Sequence, residues 1–206
     1  MSGIRKNSRT RGDTLIEVLF AVSVFSMVIV GSLAIMNQGT AASQRSLDIT
    51  LVRQQVDAQA ETLRFMHDSY VNVYRPDLDL SASATPAGEW FKMRRDVRAL
   101  AATTTSDFNV GQTCPEIHPT GSFVLDPLNV VYYKATSSMK LAPTYARVSY
   151  TGVNKDVFNA AEGIWVEALQ SSQGYVDFHI RACWDSQGLS VPMTIGTIVR
   201  LYDPKS

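Results

Sequence analysis

Residues Thr14 to Met36 read TLIEVLFAVSVFSMVIVGSLAIM, and Glu17 is the only ionisable side chain between Asp13 and Arg45. As a helix this stretch extends roughly 34 Å at ~1.5 Å per residue, against a hydrocarbon layer of about 30 Å. It is long enough to span a bilayer. Arg5, Lys6, Arg9 and Arg11 crowd its N-terminal side with no acid among the first twelve residues, and the first cation beyond it is Arg45. That bias of positive charge predicts an N-terminus in the cytoplasm and the bulk of the chain outside.

A conventional secretory signal is the simpler reading of such a segment, and Thr40 to Ala42 imitates its small-residue cleavage site. Its apolar region, however, usually runs only ~7 to 15 residues. A plain signal anchor accounts for the length and leaves Glu17 unexplained. A charged group at the centre of a spanning helix costs ~2.5 to 3.5 kcal/mol on insertion scales, and less near the interface, so it usually has a partner. A cut just before Asp13 would supply one, because the new α-amine lies four residues from Glu17 and could neutralise the carboxylate of a neighbouring chain. The alternative is an acid that snorkels to the interface or is simply protonated.

The run Gly12-Asp13-Thr14-Leu15-Ile16-Glu17-Val18-Leu19 closely resembles the cleavage and N-methylation motif of type IV prepilins and type II secretion pseudopilins, whose usual form is glycine, phenylalanine, then TLIEVL. The short basic leader, the glycine at the cut, the glutamate five residues into the mature chain and the apolar run all coincide. The resemblance covers about the first sixty positions. It implies a leader, residues 1–12, removed by a dual-function prepilin peptidase after Gly12, and an N-methylated Asp13 as first mature residue. It also implies that Glu17 pairs with the terminal amine of an adjacent subunit during filament assembly. The implied partners are that peptidase, other pilin or pseudopilin subunits in a homo- or hetero-filament, an inner-membrane assembly platform and membrane lipid. No cofactor is implied. Asp13 departs from the customary phenylalanine, and its carboxylate could compete with Glu17 for the new amine. The family's frequent mid-helix proline is also missing, which leaves Gly31 and Gly39 as the weak points of the helix. The tripeptide Arg11-Gly12-Asp13 spells an integrin-adhesion signal but straddles the inferred cut on the cytoplasmic side.

Lysine plus arginine and aspartate plus glutamate number 19 each. A zero net charge advertises neither a nucleic-acid partner nor disorder. Removing the four leader cations from it leaves the mature chain at −4.

Beyond the span, Leu47, Leu51, Val52, Val56, Ala60, Leu63, Met66 and Tyr70 recur at helical steps, with Arg45, Asp48, Arg53, Asp57, Glu61 and Arg64 on other faces. No proline precedes Pro76, so one helix from about Thr14 to Tyr70 is predicted, with residues 13–36 as its transmembrane and assembly half and 37–70 as its amphipathic outer half. Asp57 and Glu61 at i,i+4 read as a solvated face rather than as a metal or acid/base pair. Residues 71–206 hold all eight prolines, with loops expected at Pro76 to Gly88 and Ala101 to Thr105 and a short helix at Glu89 to Leu100 between them. Strands are predicted at Ser122–Leu125, Val130–Lys134, Ala146–Tyr150, Ile164–Leu169, Tyr175–Ala182 and Thr194–Tyr202 from their β-branched and aromatic content. Val176, Phe178, Ile180 and Ala182 alternate with polar neighbours, so one face of that strand should be buried, and Ser171 to Gly174 should close a hairpin. The expected fold is α+β, a pilin-like lollipop whose long N-terminal helix packs against an antiparallel β-sheet head.

Cys114 and Cys183 are too few for a disulfide scaffold or a zinc site but could form one bridge in an oxidising compartment; the alternative is two buried thiols. His118 near Cys114 makes no metal site by itself. Trp90-Phe91-Lys92-Met93-Arg94-Arg95 with Arg98 mixes aromatic and basic residues as a single-stranded nucleic-acid platform would, although an amphipathic helix explains it more simply. No hydrolase elbow, phosphate-binding loop, HExxH or CxxC motif occurs. The chain is therefore expected to be a non-enzymatic filament subunit, inserted once in the cytoplasmic membrane with its head outside and leaning towards a minor role. The alternative is a membrane-anchored binding protein or adhesin that never polymerises.

Overall fold

The computed structural model describes residues 13–100, 114–135, 140–153, 155–171, 173–186 and 188–204; the side chains of 13, 14 and 97–100, and the loop expected at Ala101 to Thr105, lie outside that description. The chain divides into two compact units, Met1–Gln44 and Arg45–Ser206. Helix α1, Asp13–Val73, runs without interruption through 61 residues. In the first unit it is exposed from Leu15 to Thr40, including Phe20, Met27 and Ile35, each more than two-thirds exposed. It is long and apolar enough to cross a membrane. Gly31 and Gly39 leave it intact, with no atom within 4 Å of where a Cβ would stand.

In the second unit, Val52, Val56, Ala60, Leu63 and Met66 of α1 are buried in one core with strands of the sheet. The predicted stripe is correct from Val52 to Tyr70, but Leu47 is 58% exposed and half-buried Leu51 is not part of the core, on which Ile49 packs instead. A second helix, α2 (Pro86–Leu100), begins three residues before the predicted start and shortens the expected loop. Thr85 caps it, its carbonyl accepting from Glu89 N at 2.9 Å and its hydroxyl from Gly88 N at 3.3 Å, while Pro86 occupies the first helical position, where no donor is lost. Gly88 is required there, since a Cβ would collide with the Ser83 carbonyl.

Among the described residues seven strands follow: β1 (Phe123–Asp126), β2 (Val131–Lys134), β3 (Arg147–Thr151), β4 (Val157–Glu162), β5 (Ile164–Gln170), β6 (Tyr175–Trp184) and β7 (Met193–Tyr202). Five form an antiparallel sheet in the order β2-β1-β5-β6-β7, and β3 pairs with β4 separately. The fold is α+β, with a long apolar N-terminal helix and an antiparallel-sheet head. Strand β6 alternates as expected, with Val176, Phe178, Ile180 and Ala182 buried and Tyr175, Asp177, His179 and Arg181 half-buried. Strand β4 was not predicted. Its sequence VFNAAE carries asparagine and alanines of low β-propensity, and a register shift between Ser149 and Tyr150 interrupts its pairing with β3.

Candidate functional site

Of the residues singled out at the N-terminus, Gly12 lies outside the described residues, and Asp13 is the first residue of α1. Glu17 stands one helical turn further on, on the same face, and is exposed. The hydroxyls described between Leu15 and Thr40 are satisfied within the helix. Ser23, Ser26 and Ser32 donate to the carbonyls of Leu19, Val22 and Val28, each at 2.8 Å, and Thr40 donates to Asn37 O at 2.9 Å. Such internal bonding removes the penalty of placing hydroxyls in hydrocarbon. Glu17 is left as the one charge there that the helix does not satisfy by itself.

Cys114 and Cys183 are joined by a disulfide with their Cα atoms 5.6 Å apart. Both pack on buried Trp165, whose indole donates to Glu167 Oε1 at 2.6 Å. The Cys183 amide bonds Gly163 O at 2.8 Å. Gly163 adopts φ 65°, and a Cβ there would strike the Cys183 carbonyl. The bridge, the tryptophan and this glycine turn brace the start of β5 and the end of β6.

Two glutamines of α1 couple the helix to the sheets, a role the sequence reading missed because amides on a polar helix face look solvated. Gln59, fully buried, donates from Nε2 to Leu125 O at 2.7 Å and accepts at Oε1 from Leu125 N at 2.9 Å. Gln55 Oε1 accepts from Val148 N at 3.1 Å. Glu89 ties α2 to β2, accepting from Tyr132 N at 3.2 Å and pairing with Lys92 at 2.7 Å.

The aromatic and basic cluster on α2 is an amphipathic helix. Trp90 and Met93 are buried in the core, and Trp90 faces the His67 and Phe178 rings at 5.1 and 5.7 Å, so it offers no face to a nucleobase. Arg94 is buried and bonds Asp203 at 2.6 Å and Gln170 at 3.0 Å. Asp57 and Glu61 are exposed, and Glu61 pairs with Arg64 on its own helix. Burial pushes the His118 pKa down, and no group of three potential metal ligands exists among the described residues.

No protein-family model, no curated protein and no solved structure matches this chain.

Proposed function

We propose that this chain is a structural subunit of a type IV pilus or related filament, cut after Gly12 and assembled through its N-terminal helix. The observation that carries the reading is an uncovered apolar helix with one acid near its start: α1 is exposed from Leu15 to Thr40, and Glu17 is the only ionisable side chain between Asp13 and Arg45. A buried carboxylate needs a cation. The freed amine of a neighbouring chain, at nearly the same depth, supplies it without bringing a basic side chain into the span. Subunits held by such pairs bury their apolar helices against one another and keep their heads at the surface. The disulfide supports a head outside the cytoplasm, because bridges persist in oxidising compartments.

The test is replacement of Glu17 by alanine in cells containing the peptidase and assembly machinery. The subunit should reach the membrane at its normal level while its amount in sheared filaments falls severalfold. Unchanged incorporation removes the assembly role.

A further inference from the structure

The C-terminal end of α1, the loop behind it, α2 and the last described residues enclose an open cavity of about 400 Å³, within the ~300 to 1,000 Å³ of small-ligand sites. Its lining has three tiers. Arg94 and Asp203 form an ion pair at 2.6 Å, with the arginine side chain 8% exposed. Three rings supply the walls: Tyr70 stands edge-on 5.6 Å from Tyr74 and tilted 6.5 Å from Phe91, and all three are half-buried.

The third tier is Arg75 and Arg95, both exposed. Among the described residues Arg75 makes no ion pair. Among the described residues Arg95 pairs only with Asp96, at 3.9 Å, and Asp96 is already bonded to Lys134 at 2.9 Å. Asp79 feels the charge of Arg95, but its carboxylate accepts the Ser81 amide at 2.8 Å. Two guanidinium groups with spare donors therefore border an aromatic slot.

We propose that this cavity binds a ring-borne oxyanion, a carboxylate or phosphate held by Arg75 and Arg95 with its ring against Tyr70, Tyr74 and Phe91. Guanidinium forks match both oxyanions in a two-pronged geometry, and aromatic walls favour a flat ring. A bare oxyanion uses only the arginines, and a neutral ring uses only the walls. The ring itself could be aromatic or a saccharide, since both stack on such walls. This site is independent of the filament reading.

The experiment is saturation-transfer NMR on the full chain in detergent micelles, with empty micelles as the control. Phenyl phosphate, benzoate and glucuronate are the probes; inorganic phosphate and benzyl alcohol represent the two halves. At least one whole probe should bind about tenfold more tightly than either half, a difference of about 1.4 kcal/mol. Phenyl phosphate and benzoate ahead of glucuronate identifies an aromatic ring, and the reverse order a saccharide. The Arg75→Gln/Arg95→Gln variant, altered only at exposed positions, should melt at the unchanged temperature and lose severalfold in affinity for the winning probe. Phe91→Ala should weaken that probe without changing phosphate. Equal binding of whole and half probes, or unaltered affinity in the arginine variant, overturns the proposal.

Discussion

Gln59 of α1 and Leu125 of β1 exchange two hydrogen bonds, at 2.7 and 2.9 Å, so a helix side chain imitates the pairing of a neighbouring strand. One turn earlier, Gln55 takes the Val148 amide of the second sheet. The helix thus holds strands of both sheets through backbone groups that would otherwise be buried unpaired, and this fixes its register along the head as apolar contacts alone cannot.

Gln59→Ala should destabilise the head by about 3 kcal/mol, because it strands a buried donor and a buried acceptor at ~1 to 3 kcal/mol each. Urea unfolding followed by the tryptophans measures it. Gln55→Ala, whose amide is half-buried and accepts one bond, from Val148 N, should cost less than half as much. Equal effects would mean that the Gln59 bonds are not what holds the helix.

Reduction of the Cys114–Cys183 bridge, or its replacement by two alanines, should lower stability by about 4 kcal/mol in the chain-entropy model for so long a loop. Trp165 packs on the bridge, so its fluorescence should change with the same midpoint when reductant is titrated.

Gly163 and Gly174 both adopt positive φ, 65° and 78°, yet only Gly163 is crowded. Gly174→Ala should cost about 1 to 2 kcal/mol, the price of a left-handed alanine. Gly163→Ala adds a collision with the Cys183 carbonyl and should cost clearly more in the same unfolding assay.

Burial holds the pKa values of His118 and His179 below the usual 6.5, with Arg181 adding to the effect at His179. The unfolded chain therefore binds more protons than the folded one at mildly acid pH. This stabilisation is complete above about 6.5 and is lost as pH falls from there through the folded values. The urea midpoint should drop between pH 7 and pH 5, and the His118→Gln/His179→Gln variant should drop less.

Periodicity made much of this fold legible. The apolar run, the stripe from Val52 to Met66 and the alternation of β6 each expose one burial face at a fixed spacing, and those elements lie where the sequence places them. Strand β4 was hidden because Ala160 and Ala161 owe their conformation to pairing with β3, in a register that skips Asn159. The cavity was equally hidden, since Tyr70, Phe91 and Asp203 are distant in sequence and meet only after packing.

The mass of the N-terminal peptide of the protein purified from its native membrane tests the central claim most directly. The account predicts a chain that begins at Asp13 with a methylated amine, and an uncut precursor when Gly12 is replaced by valine. A native protein that retains residues 1–12, or a Gly12→Val chain trimmed at the same bond, would contradict it.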